Sequence, residues 1–276
     1  MHTIVKNFEK MGARAKIEEV PRITKDRWGR QVQQRVRFDI GRDKNGPFYD
    51  IITIPEAELT VLDVQAKDRH LLVMTRVFSE ETGEYEKSKF LCGHDERDWF
   101  IARTPDNRPV SNVATAKESL KPEIVISAQE SKQLGTRKKN RRHNKAFIRQ
   151  GEWFFIPAPN INPSKWSVIE NEPLIRGRGK PHTAEYVYRI GGTNVYVSQQ
   201  YPNGLFETEY RRLLKKDGIS ASSFRVRRLD PQVYAKGRIT HADHKTVTLN
   251  GWHRVIPNTE PTVDRTGRQV VMGFID

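Results

Sequence analysis

Short runs rich in Val, Ile, Leu, Phe, Tyr and Thr, broken every few residues by Gly, Pro, Asn or Asp, recur along almost the whole chain. Such side chains suit a pleated, half-buried surface, and apolar runs this short between turn residues read as strands. Strands are expected at 31–40, 48–54, 59–64, 70–77, 89–94 and 98–102, then at 146–150, 152–157, 194–199, 224–229, 233–239, 246–250 and 269–275. Three segments read as helices. Residues 111–121 start at a capping serine and stop at Pro122, residues 182–190 stop at Gly191-Gly192, and residues 205–216 carry acids early and bases late, as the helix dipole favours. The expected fold is mainly β, barrel- or sandwich-like, with a few short helices.

One turn is sharply indicated. Asn250-Gly251 is a preferred pair for a two-residue type I′ hairpin, which would set Leu249 opposite Trp252 and Thr248 opposite His253. His253 would then share a face with Thr246 and Thr248, away from Val247 and Leu249.

Charge divides the chain in two. Residues 1–130 hold 22 Lys and Arg against 22 Asp and Glu, whereas residues 131–276 hold 26 against 12, so the net charge of +14 lies in the second half. Segment 131–145 has dense positive charge and no apolar periodicity, and reads as a basic linker or loop. The expected organisation is a neutral β-rich domain at 1–130, that linker, and a basic β-rich domain at 146–276. Such asymmetry is a footprint of nucleic-acid binding, DNA or RNA alike, or of an acidic protein partner.

The densest cations are Arg137, Lys138, Lys139, Arg141, Arg142, Lys145 and Arg149, with a second cluster at Arg211, Arg212 and Lys215, followed by Arg225 and Arg227 on one strand face. Aromatics follow the first cluster at Phe147, Trp153, Phe154, Phe155 and Trp166. Cations beside stacking rings are the ingredients of single-strand binding, although alternate rings of a strand belong in the core, so only one or two should be exposed. No basic amphipathic helix with bulky aromatics points to a membrane surface.

Histidines form the other constellation. His241 and His244 lie three residues apart in a turn, His253 follows, and His182 stands upstream. Three imidazoles, with Asp243 or Glu185 nearby, would suit a divalent zinc or iron site, and so a metal-dependent hydrolase or nuclease. Surface or hydrogen-bonding histidines are the plainer alternative.

The segments RQGEWFFIPAP (149–159), GRGKPH (177–182) and HADHKTVTLNGWHRVIPNTE (241–260) resemble small β proteins of phage and bacterial genomes. Those proteins open with an RQGDV-type strand and carry an HxxH turn before an apolar hairpin. The resemblance covers roughly the last 130 residues. It departs at Glu152-Trp153, and at PHTAE, which has no second histidine. It implies a shared β fold, draws attention to His182, His241 and His244, and implies no reaction. A phage-associated structural or partner-binding role is a further alternative.

Other chemistries are excluded or weak. A single cysteine, Cys92, rules out CxxC zinc sites and internal disulfides and suits a reducing, cytoplasmic setting. No secretory signal is evident at the start of the chain, and no apolar run is long enough for a bilayer. P-loop, GxGxxG and GxSxG motifs are absent. Cys92 beside His94 is expected to be a small core residue, and Asp95, Glu96 and Asp98 a polar turn.

Overall fold

The computed structural model describes residues 2–79, 82–176, 180–216, 220–263 and 269–270. The chain forms two compact units, Met1–Pro122 with Thr259–Pro261, and Glu123–Asn258 with Thr262–Asp276. The division thus falls at Pro122, ahead of the basic segment 131–145, which belongs to the second unit. Strands dominate both units, as expected.

The first unit begins with α1 (His2–Lys10), followed by β1 (Ala15–Glu19), a small hairpin of β2 (Ile23–Lys25) and β3 (Gln31–Gln33), and the hairpin β4 (Arg37–Asp43) and β5 (Gly46–Thr53). β1 runs parallel to β5, giving a three-stranded sheet β1-β5-β4. The predicted strand 31–40 is therefore two strands in different sheets. A four-stranded meander follows, β6 (Ala57–Gln65), β7 (His70–Ser79), β8 (Glu84–Asp95) and β9 (Asp98–Arg103), and then α2 (Val113–Ser119).

Leu71, Leu72 and Val73 on β7 are all fully buried. A strand covered on both faces needs consecutive apolar residues rather than alternation. One face packs with Phe8, Met11, Tyr49 and Cys92, the other with Val113 and Ala116 of α2. The Tyr49 hydroxyl, 3.1 Å from the carbonyls of both Gly93 and Phe100, ties β5 to the meander. Cys92 is a core residue, and burial pushes its thiol well above the ordinary range. Asp95 and Asp98 close the β8–β9 hairpin around Glu96, at φ 52°. The α2 cap is Asn112, whose Oδ1 accepts the Thr115 amide at 2.9 Å, so the helix starts one residue after the expected serine.

The second unit starts with α3 (Glu123–Ser131) and a single turn, α4 (Thr136–Lys139). Strands β10 (Ile148–Gln150), β11 (Trp153–Pro157), β12 (Val168–Leu174) and β13 (His182–Ile190) follow. Then come β14 (Thr193–Val197), α5 (Glu207–Lys216), β15 (Arg225–Leu229), β16 (Gln232–Thr240) and β17 (Val247–Pro257), with short β18 (Thr262–Val263) and β19 (Gln269–Val270) beyond. Six strands form one antiparallel sheet in the order β10-β11-β17-β16-β13-β12. Its core includes Trp153, Phe155, Val187, Ala235, Ile239, Leu249 and Val255. The reverse side of β11 presents Phe154, which packs with Phe147 and with Val125 of α3. Phe147, Trp153, Phe154 and Phe155 are thus all buried, and Trp166, 96% exposed, is the only surface ring of that group.

Two expectations are corrected. Residues 182–190 are a strand, not a helix, because Thr183, Tyr186, Val187 and Tyr188 are β-formers and the segment pairs on both edges, with β12 and β16. Tertiary pairing outweighs the Gly191-Gly192 stop, and both glycines serve a left-handed turn into β14. Nor is Asn250-Gly251 a hairpin. β17 continues through it, with Leu249 opposite Gly237 and His253 opposite Ala235, so residues 250–252 are an outward bulge allowed by Gly251 at φ 95°. Because the strand does not reverse, alternation carries on from Val247 and Leu249, and His253 lands on their buried side. Among the other expectations, most of strand 269–275 and the first three residues of GRGKPH lie outside the described residues. Among the described residues no helix is long and apolar enough to cross a membrane.

The six-stranded sheet is strongly curled. Laid flat, β10 and β13 would be four strand spacings apart, about 19 Å. Instead, a Cβ built on Gly151, just beyond β10, would stand 3.2 Å from Nε2 of His182 at the start of β13. The sheet is in this sense barrel-like, and its curl builds the site.

Candidate functional site

His182, His241 and His244 converge in the second unit. Each offers a ring nitrogen within 4.8 Å of the others'. His182 opens β13, one residue before Thr183, which pairs with Thr240 at the end of β16. This register brings His182 beside His241, with ring centroids 4.0 Å apart and planes 20° from parallel. His244 closes the group, 4.6 Å from His241 and 5.4 Å from His182.

The 240–245 loop is held by a side chain from the far edge of the sheet. The buried Gln150 amide nitrogen donates to the Ile239 carbonyl at 3.1 Å and to the Lys245 carbonyl at 2.8 Å, gripping the loop at both ends. Gly151 follows at φ 56°. A Cβ there would meet Nε2 of His244 at 2.7 Å and Nε2 of His182 at 3.2 Å. Glycine is needed for two reasons, a left-handed backbone and space in front of the rings.

The three rings differ in their partners. His182 is 1% exposed, and among the described residues neither of its nitrogens has a hydrogen-bond partner. Nδ1 of His244 is likewise buried and unpartnered. His241 accepts the Asp243 amide at Nδ1, 3.0 Å, so the neutral ring donates from Nε2 to the Lys180 carbonyl at 3.3 Å. Burial, reinforced by the neighbouring imidazoles, pushes His182 down to about 3 and His244 down to about 4. Both rings are therefore neutral at neutral pH.

The carboxylates weighed with the histidines are engaged elsewhere. Lys180 holds Asp243 through both oxygens at 2.8 Å. Glu185 sits at the β13–β16 bulge, where its Oε2 accepts the Arg238 amide at 2.8 Å. His253 does not join the trio. It lies across from Ala235 and Pro157, and its Nδ1 donates to the Gly251 carbonyl at 2.9 Å. Sequence reading missed Gln150 and Gly151, although both stand within RQGEW. Glu152, next in line, has its carboxyl raised by burial, with Arg176 and His241 pulling the other way.

The basic segment is ordered. Leu134 is buried, the Gln129 side-chain amide donates to the Lys139 carbonyl at 2.6 Å, and Asn144 Oδ1 accepts the backbone amides of Ala146 and Phe147. Its surface encloses a hollow of about 790 Å³ whose walls include Lys132, Arg137, Lys138, Arg141, His143 and Lys145 and, among the described residues, no carboxylate. Arg137, Lys138, Arg141 and Lys145 are exposed, and Lys139 is half-buried. Arg142 and Arg149 are also half-buried, joined by an Arg149 amide to Arg142 carbonyl bond of 2.7 Å. Their charges act on His244, which places the inner end of the basic segment beside the trio.

The second basic cluster forms its own layer. β14 and β15 make a two-stranded ribbon, and α5 packs on it by stacking Tyr210 on Tyr196 at 3.8 Å. Arg225 and Arg227 are exposed on β15, and Arg211 on α5 is paired with Glu207. Arg212 and Lys215 are exposed on the same helix.

Comparisons with protein-family models, with curated proteins and with solved structures return no match. The site is read from its own chemistry.

Proposed function

We propose that the second unit binds nucleic acid through its basic segment, with the charge of the phosphate backbone as the main source of affinity. The carrying observation is the hollow lined by five lysines and arginines without a carboxylate. A concave cationic surface focuses its field and favours a chain of phosphates over an isolated acidic side chain. Arg142 and Arg149 extend the positive surface inward, and the exposed arginines of β15 supply a second cationic strip.

Fluorescence anisotropy with single- and double-stranded DNA and RNA across a salt series tests this reading. Engagement of about five phosphates gives a log–log salt slope of about −4.5 on duplex DNA and about −3.5 on single strands. A flat response, or no binding at low salt, overturns it. Capture of an acidic polypeptide in preference to every nucleic acid would instead make the partner a protein.

A further inference from the structure

We propose that His182, His241 and His244 bind a zinc ion. This inference stands apart from nucleic-acid binding and would survive the failure of that reading.

An imidazole is rarely buried with both nitrogens unsatisfied, because each lost its hydrogen bond to water on folding. His182 is 1% exposed and has no partner at either nitrogen among the described residues. A metal bond to one nitrogen answers that cost.

The three rings also converge on one point. The rings come from two strand ends and a loop, and the loop is clamped at both ends by Gln150. The residue facing Nε2 of His182 and Nε2 of His244 is the one type without a side chain, Gly151.

The donors are three imidazoles with no free carboxylate among them, a set that suits zinc better than calcium, magnesium or manganese, which prefer oxygen. They also differ from the two-histidine, one-carboxylate set of non-haem iron. Asp243 and Glu185 are held by Lys180 and the Arg238 amide, so neither completes that set. Three protein imidazoles are also the ligand number with which zinc keeps a further position for water or a substrate atom.

The geometry is close to what zinc requires. Bonds of about 2 Å to tetrahedral donors set the nitrogens about 3.3 Å apart. The three ligand atoms lie within 4.8 Å of one another, and rotation of the half-buried His241 and His244 rings supplies any contraction needed. Binding through Nδ1 of His241 displaces the Asp243 amide and keeps the Nε2 bond to the Lys180 carbonyl, whereas binding through Nε2 moves the proton to Nδ1 and costs both. His182 gives up none.

The test uses the full chain purified without a histidine tag. Elemental analysis is expected to find about one zinc per chain. After chelation, cobalt(II) titration is expected to produce the visible absorption of a four-coordinate site, displaced by zinc. His241→Ala and His244→Ala should lose this spectrum, whereas His143→Ala, in the basic segment, should retain it. Zinc-edge X-ray absorption of the loaded wild-type protein needs no variant and should show three imidazoles. Folded wild-type protein that takes up neither zinc nor cobalt overturns the proposal. So does a loaded site with fewer than two imidazoles, or metal binding unchanged in both site variants.

Discussion

The Cβ that Gly151 lacks would stand 2.7 Å from Nε2 of His244, closer than real Cβ contacts come. This relationship couples a backbone conformation to the contents of the histidine site. Gly151→Ala meets a penalty from its φ of 56° and a second from the ring it displaces. Thermal or urea denaturation should show a loss of about 1–3 kcal/mol. Cobalt titration should show affinity about 10- to 100-fold weaker, in the range of other changes that disturb metal ligands from behind.

Gln150→Leu preserves the bulk of the side chain and removes both donors to Ile239 and Lys245. Two carbonyls at the ends of the histidine loop then lose their partner. The expected cost is about 1–3 kcal/mol in urea denaturation, with the metal affinity falling alongside. Unchanged affinity in a folded variant would show that the clamp does not position the histidines.

The metal-free protein should weaken in mild acid. His182 and His244 are held at about 3 and about 4 in the folded chain, below the ordinary 6.5. The unfolded chain therefore takes up protons first as the pH falls. The stability that these groups lend is present above 6.5 and is lost as the pH drops through their folded values. Urea midpoints at successive pH values should fall from about 6.5 downward, and His182→Asn should flatten the slope.

The basic hollow should be separable from the fold. Arg137, Lys138, Arg141 and Lys145 are exposed, so replacing all four with Gln should leave the melting temperature nearly unchanged. Nucleic-acid affinity should fall at low salt, and the salt slope should flatten by about one for each phosphate contact removed. A variant that binds with the parent's slope would move the contact surface elsewhere, with the β15 arginines the next to replace.

In the first unit, Tyr49→Phe removes a hydroxyl that reaches the Gly93 and Phe100 carbonyls while leaving the ring packed on Phe8. The expected loss is about 1 kcal/mol by denaturant unfolding, without effect on the histidine site.

What the sequence made legible followed from local pattern. Strands such as β7 and β11 declared themselves because apolar, β-branched and aromatic residues crowd together there. β1 and β12 escaped because AKIEE and VIENEPL are charged and lie at sheet edges, where one side faces water. Residues 182–190 were misread because a glycine pair ends a helix and turns a strand equally well, and only pairing with β12 and β16 decides between them. The same limit governed the site. His182, His241 and His244 were visible as a group by residue type. His253 was assigned the wrong face because a bulge and a hairpin share the same Asn-Gly signature. Gln150 carried no signal, since its two acceptors lie 89 and 95 residues away.

The size of β10 has a kinetic consequence. Register pairing of β13 with β16 brings His182 beside His241, whereas Gln150, which holds the loop that carries His244, belongs to β10, three residues at a sheet edge. Short edge strands open far more often than the core they cover. If the proposed zinc is bound there, amide exchange at Ile148–Gln150 and release of the ion are expected to share one opening event, timed by the fraying of that strand.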